Sequence, residues 1–237
     1  MNYSSCRKQI ENELLNSPQR RYFSPVYLAQ YRVTLPLIIR YVYGKLIDLG
    51  CGDMPFRDLI KKKVDIYDSL DNFPSSPDVT YQSDIQNMSV IKDETYDCAI
   101  CLEVLEHIPD VNRALSEINR IIKRGGIIIM SVPHLSRLHD QPNDYYRFTK
   151  YGIEHLLRAN GFEVIELHHK GGIFTFLGHQ ISTLILCSVW KIPIIKNIVF
   201  IINKYLLSIL CFSLDNLLDR SGIFAQGYSI VIRKRYE

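Results

Sequence analysis

The chain has 237 residues, 47% hydrophobic and 22% charged, which suits one well-packed α/β core with an elaboration and excludes wholesale disorder. Its net charge is +3, with seven Lys/Arg against two acids in residues 1–45 and eight against three in 170–237. The middle is therefore acidic, which speaks against a nucleic-acid binder and suits flanks that meet an anionic surface.

A helical arm comes first, over 1–43. Ser24-Pro25 is a good helix start, Val26, Leu28, Val33, Leu35, Leu37 and Ile38 supply an apolar side, and Pro36 predicts a kink. Strand and helix signals then alternate. Strands are expected over 45–49, 64–70, 79–84 and 96–102, with a helix over 55–62. Asp110 caps a helix with apolar residues at the 3.6-residue period (Val111, Ala114, Leu115, Ile118, Ile121, Ile122), expected to end at Gly125-Gly126. "GIIIMSV", apolar on both faces, is a central strand. After it come a polar loop (134–148), a helix from Thr149 closed by Gly161, the strand "FEVIEL" and, only at residue 228, the last strand "YSIVIRK". This order predicts a Rossmann-like, doubly wound sheet, mostly parallel with an antiparallel C-terminal strand and with helices on both faces. The domain runs over 44–237 and carries an apolar helical insertion at about 173–223.

Cysteine usage is uninformative about chemistry. The six cysteines are scattered, the start lacks an apolar signal core, and a cytoplasmic location is expected. "CAIC" sits in a strand, where residues three apart face opposite sides, so packed thiols are expected there.

In such a sheet, ligands bind at the carboxyl ends of the strands. "LIDLGCG" places Asp48 before Gly50 and Gly52, which allow a tight turn and a close backbone approach. A dinucleotide fingerprint would want a third glycine where Pro55 stands, and Asp48 suits an ammonium group rather than a pyrophosphate. Asp71 in "YDSLDNF" can hold a ribose diol, and Asp84 in "YQSDI" an adenine amino group. Three acids thus finish three successive strands.

These motifs, with "DETYDCAICLEVLEHIPD" and "EINRIIKRGGIIIMSVPH", resemble the class I S-adenosylmethionine-dependent methyltransferases, in particular the UbiE-like, methyltransferase type 11 branch. The resemblance covers roughly residues 44–167 and the final strand. It implies S-adenosylmethionine as cofactor, with Asp48, Gly50, Cys51 and Gly52 around the methionine moiety, Asp71 at the ribose, Asp84 and Ile85 at the adenine, and Leu102 and Glu103 on the sulfonium side. Asp53 and Met54 depart from the small residues frequent after the second glycine.

Methyl transfer from a sulfonium requires a base only for a poorly acidic acceptor, so the resemblance names none. Candidates are His107 of "LEHIP" and His139, Tyr146 and Arg147 of the loop "PHLSRLHDQPNDYYRFT". That loop resembles an H-x-x-P-x-D-Y-x-R-F-T signature of family members associated with saccharide or lipid modification; a structural loop with Arg147 paired to Asp144 is the competing expectation. No metal is expected, because His134 and His139 lack a third ligand at helical or hairpin spacing.

The runs "ISTLILCSVWKIPII" and "NIVFIINKYLLSILCF" are broken by Lys191, Pro193, Lys196 and Lys204, so neither is expected to span a bilayer. Peripheral contact with the inner face of a membrane, a lid, or a homodimer seam remain open. The expected function is methyl transfer to a small-molecule, lipid-linked or saccharide acceptor near the membrane, without nucleic acid. The alternatives are a methyltransferase-fold scaffold without turnover and, disfavoured by Asp48 and Pro55, a nicotinamide-dependent oxidoreductase.

Overall fold

Strand β1 (Lys45–Leu49) buries Leu46, Ile47 and Leu49, as a strand covered on both faces must. In the computed structural model, which describes residues 3–15, 17–74, 76–219 and 221–236, it pairs in parallel with β2 (Ile66–Asp71) and with β4 (Tyr96–Leu102). Short β3 (Tyr81–Gln82) flanks β2, and β5 (Ile122–Pro133) flanks β4, both in parallel. With β6 (Phe162–Lys170) and β7 (Gly227–Lys234) the order is β3-β2-β1-β4-β5-β7-β6, parallel except at its C-terminal end. The order reverses between β1 and β4, the place where an open α/β sheet binds ligands.

Three helices accompany this sheet: α3 (Arg57–Ile60), α4 (Val111–Ile121) and α5 (Lys150–Ala159). Asp110 caps α4 by accepting from the Arg113 amide (3.1 Å), and Val111, Ala114, Leu115, Ile118 and Ile121 go inward. The helix stops short of Gly125-Gly126. Ile122 is already extended and pairs with Tyr96, after which a bulge shifts the register so that Cys98 pairs with Ile127. Gly125, at φ +73°, lies in that bulge. Cys98 and Cys101 are buried free thiols, and burial pushes the Cys98 thiol up to about 12.

The chain divides into two compact units. The sheet unit comprises 34–168 and 228–237; the helical unit comprises 1–33 and 169–227, so the N-terminal arm is shared out between them at residue 33. The first two residues of the arm and Arg220 of the insertion lie outside the described residues.

The helical unit contains α1 (Tyr3–Glu13), the first half of α2 (Pro25–Tyr41), α6 (Ile173–Val189), α7 (Pro193–Ile202), a wide π turn (203–209) and α8 (Leu210–Leu218). Ile10, Phe23, Leu186, Cys187 and Trp190 form its core. The lysines do not interrupt the second apolar run. From Pro193 to Leu218 the chain is one 26-residue helix, long and apolar enough to cross a bilayer, which corrects the expectation from sequence. Lys196 pairs with Glu13 (3.2 Å), and Lys204 lies over the rings of Tyr22 and Tyr205. The π turn has a local cause: buried Asn203 and Ser208 both reach back to the Tyr22 carbonyl, at 2.9 Å each.

Buried Asp215 and nearby Asp219 close the base of this hairpin. Asp215 accepts from the amides of Gly172, Phe174 and Thr175 (2.8–2.9 Å), and Asp219 from that of Ile173 (2.9 Å), so α8 supplies the cap that the first turn of α6 lacks.

Candidate active site

The turn after β1 is stitched to the end of β2. The amides of Gly50 and Cys51 donate to the Leu70 carbonyl (2.8 and 3.1 Å), and the Gly52 amide donates to Asp71 Oδ2 (2.9 Å). Asp71 Oδ1 also accepts from the Phe73 amide (2.8 Å), which fixes the carboxylate at the strand end. Gly50 and Gly52 have φ of +64° and +48°. A Cβ on Gly50 would stand 2.5 Å from Val104, whereas one on Gly52 would meet nothing within 4 Å. The first glycine thus serves packing, and the second borders open space beside Asp71.

Asp48 is buried, and its Oδ2 accepts from the Tyr67 hydroxyl at 2.6 Å. Burial pushes its carboxyl up to about 7, against the pull of Tyr67 and with help from the nearby charges of Asp71 and Asp53. A cation beside it would restore the ionised form. Burial likewise pushes the Cys51 thiol up to about 12. Asp84 lies two residues beyond β3, its carboxylate held by the Gln86 amide (2.8 Å) and side chain, and Ile85 behind it is buried. Leu102 ends β4, and Glu103 follows at φ +54°, a left-handed conformation that a non-glycine residue adopts at a cost.

These features fit S-adenosylmethionine. The acids at the ends of β1 to β3 offer acceptors for an ammonium, a diol and an amino group, and the space over Gly52 admits a ligand against the backbone.

Residues 19–167 match the family described as Methyltransferase domain. The chain belongs to that family. Family and fold place it among the class I S-adenosylmethionine-dependent methyltransferases, with S-adenosylmethionine as cofactor. Curated relatives include the ubiquinone biosynthesis O-methyltransferase of Saccharophagus degradans, 28% identical over 127 residues (48% of this chain, 51% of that protein). Another is that of Pseudomonas savastanoi pv. phaseolicola, 29% identical over 126 residues (48% and 52%). The chain thus spans about half the length of the curated relatives it matches. Among solved structures, a SAM-dependent methyltransferase from Archaeoglobus fulgidus superposes with a TM-score of 0.59 at 15% identity, covering 96% of this chain and 99% of that one. The [4+2]-cyclase SpnF superposes equally well, 0.59 at 16% identity, over 86% and 81%. One fold therefore hosts different reactions, and the acceptor side has to be read separately.

On that side of the methyltransferase, two loops meet. The first, after β4, contains the short turn Leu105–His107; the second is 134–148 after β5. The Glu106 carbonyl accepts from the amides of Tyr145 (2.8 Å) and Tyr146 (3.2 Å), and Tyr146 donates its hydroxyl to the Pro109 carbonyl (2.8 Å). Arg147 works within the loop: Nε donates to Ser136 O, Nη1 to Asp144 and Tyr146 O, and Nη2 to Asp144 and Arg137 O, all at 2.6–2.9 Å. Asp144 in turn accepts from the His139 amide (2.8 Å), and Arg147 holds its carboxyl down to about 2. Arg147 is therefore a positioning residue for His139. His134 goes elsewhere, its ring 5.8 Å from that of Tyr228, and burial lowers its pKa.

His107 and His139 come together, with ring centroids 4.9 Å apart, and the fully buried Glu106 carboxylate lies beside both. Sequence reasoning named the two histidines but missed Glu106 and also Tyr67. Glu106 stands next to His107 within "LEHIP"; for Tyr67 the signal was a polar hydroxyl one position from Asp68 on a strand adjoining Asp48.

Proposed function

We propose that the protein transfers the methyl group of S-adenosylmethionine to an oxygen of a small-molecule or lipid-linked acceptor at a membrane surface. The observation that carries this reading is the β1–β2 turn, where Gly52 borders open space while its amide holds Asp71, and Asp48 waits buried for a cation. Bound there, the cofactor supplies a methyl already activated on a sulfonium. The chain's part is to hold and orient. Asp48 takes the ammonium, Asp71 the ribose diol, Asp84 with Ile85 the adenine, and Cys51, Leu102 and Glu103 line the methionine and sulfonium side. The loops after β4 and β5 align the acceptor and exclude water. Oxygen as the acceptor atom rests on the O-methyltransferases among the relatives.

Membrane proximity is supported by the helical unit. On α6, Thr175, His179, Ser182 and Thr183 are buried while Leu177, Ile181, Leu184 and Ile185 are exposed, the reverse of a water-facing helix. Along α7 to α8, Ile194 is 75% and Leu217 68% exposed. Since α8 caps the start of α6, the hairpin begins and ends at one level, and its exposed isoleucines and leucines suit a helix pair lying along the interface.

The test is calorimetry with S-adenosylmethionine, followed by transfer of its labelled methyl to lipid and polar extracts and co-sedimentation with anionic vesicles. Absence of cofactor binding would sink the catalytic reading, and indifference to vesicles of every composition would sink the membrane part.

A further inference from the structure

Exposed apolar side chains and unmatched positive charge meet at one place in the helical unit. Between the short turn Pro18–Tyr22 and the helix α7 with its π turn lies a cleft of about 390 Å³, lined by Gln19, Asn197, Phe200, Ile201, Lys204 and Tyr205. Its walls are held in place. Ser17 accepts from the Gln19 amide (3.2 Å), and Asn203 and Ser208 both donate to the Tyr22 carbonyl (2.9 Å each), which fixes the turn against the helix. Ile194, Ile198, Ile201 and Tyr205 are all exposed and recur at helical spacing, so one stripe of α7 runs into the cleft, with about 10 Å of it aliphatic.

Lys204 Nζ lies 4.6 Å from the centre of the Tyr22 ring and 5.1 Å from that of Tyr205, and the Arg21 guanidinium lies 5.1 Å from the centres of both the Tyr22 and the Tyr31 rings. The two cations thus stand within roughly 10 Å of each other, where salt screens their repulsion only in part. Neighbouring Lys196, by contrast, is matched by Glu13 (3.2 Å), and Arg7 by Glu11 (2.8 Å). Among the described residues no carboxylate pairs with Lys204 or Arg21, Arg21 Nε is buried without a hydrogen bond, and the side-chain amides of Gln19 and Asn197 are uncommitted. Stacking on tyrosine rings keeps a cation in place without neutralising it.

We infer that this cleft binds the phosphodiester of an anionic phospholipid, with the acyl chains laid along Ile194, Ile198 and Ile201. The inference deepens the membrane part of the reading above, on which it rests for the source of the ligand. Charge complementarity chooses the occupant: Lys204 and Arg21 supply charge-assisted donors to phosphate oxygens, and Gln19 and Asn197 neutral ones. Two cations already sit at the Tyr22 ring, so a third, from a choline headgroup, is disfavoured. A free phosphate would satisfy the cations but leave the isoleucine stripe in water, whereas a lipid covers both.

The experiment uses the full chain and a monomeric probe, dihexanoyl phosphatidylglycerol below its micelle concentration, titrated by NMR or calorimetry. One lipid should bind per chain, and the phosphatidylcholine of the same chain length should bind at least about tenfold more weakly. Lys204→Gln should weaken binding at least about tenfold through lost charge-assisted bonds, and Lys204→Arg should restore most of it. Lys191→Gln, beyond the start of α7 and about two Debye lengths away, should leave it within about twofold. Ile198→Ser with Ile201→Ser should weaken the lipid and leave glycerol phosphate unchanged. A melting temperature at the wild-type value shows that each variant is folded. Absence of saturable binding overturns the inference, as does equal affinity for the phosphatidylcholine, or indifference to Lys204→Gln and Arg21→Gln together. Glycerol phosphate bound as tightly as the lipid would assign the cleft to a soluble phosphate and overturn the lipid, and a soluble dimer that buries Ile194 and Ile198 would overturn it too. Vesicle binding by a protein that ignores the monomeric lipid strikes this site and leaves the membrane reading standing; lipid binding by a protein that ignores vesicles does the reverse.

Discussion

The two units of this chain apply one rule with opposite results. In the sheet unit, Leu46, Ile47, Ile128 and Ile129 are inside, and acids crowd the strand ends. In the helical unit, α6 turns hydroxyls and a histidine inward and Leu177, Ile181, Leu184 and Ile185 outward, and buried Ser24, Asn203 and Ser208 add polar groups beside the apolar core around Leu186 and Trp190. A side chain is buried relative to its solvent, so the sheet unit is patterned for water, and the outward apolar face of the helical unit is what the membrane contact proposed above would cover. A residue's apolarity alone does not say where its energy is realised.

The sharpest way to break that comparison is to make the same kind of change in each unit. Replacing Ile198, Ile201 and Leu206 together by Ser should lower vesicle partitioning by about 4.5 kcal/mol, at about 1.5 kcal/mol for each side chain removed from the acyl boundary. Stability in aqueous denaturant should stay within about 1 kcal/mol, because these side chains are already exposed. Co-sedimentation and urea titration of one preparation measure both; a large loss of aqueous stability would mean the face is covered by protein. Ile129→Ala, in β5, should do the reverse, costing about 3 kcal/mol of stability with vesicle binding intact.

Two smaller effects sharpen the sheet side. Asp71→Ala removes a carboxylate that holds the Gly52 amide and is assigned to the ribose, so cofactor affinity should fall at least about tenfold by calorimetry. An unchanged affinity would transfer the ribose to another acid. Asp48 gives a pH signature. Its folded carboxyl is raised from 3.8 to about 7, so the cofactor-free fold gains from keeping it protonated, a gain present below pH 4 and lost as pH rises through 7. An ammonium ligand requires the ionised form, so affinity should rise with pH up to about 7 and then level off. Asp48→Asn should flatten the profile, and Tyr67→Phe, which removes the bond that opposes the rise, should move its midpoint upward.

Where apolar patterning and backbone punctuation decided the outcome, the sequence was readable. The strands Lys45–Leu49 and Tyr96–Leu102 appear with the expected ends, and Thr149 caps α5 as expected, accepting from the Gly152 amide at 3.0 Å. The third strand, expected over 79–84, keeps only two residues. Beside it, Thr80 and Ser69 exchange bonds between each side chain and the other's amide (3.1 and 3.2 Å), replacing the ladder with side-chain pairs that no periodicity reveals. The candidate site divides in the same way. Asp48, Gly52 and Asp71 were legible because local turn chemistry places them. The grouping of Glu106, His107 and His139 was not, since it depends on where two loops 30 residues apart cross over the sheet edge. The lysines of the insertion misled for a related reason: Lys196 and Lys204 find an acid and aromatic rings in α1 and the turn after it, so they do not break the helix.

The closed base of the hairpin bears on how such a chain is assembled in evolution. Gly172 and Asp215 are 43 positions apart in sequence yet joined by a 2.8 Å bond. An excursion that returns to its own starting point leaves its host strands with only a short gap to bridge, and lengthening it adds little closure entropy. The hairpin can therefore be grafted, trimmed or exchanged between β6 and β7 without resetting the register of either strand. An enzyme built this way can change its elaboration while its catalytic edge is inherited intact.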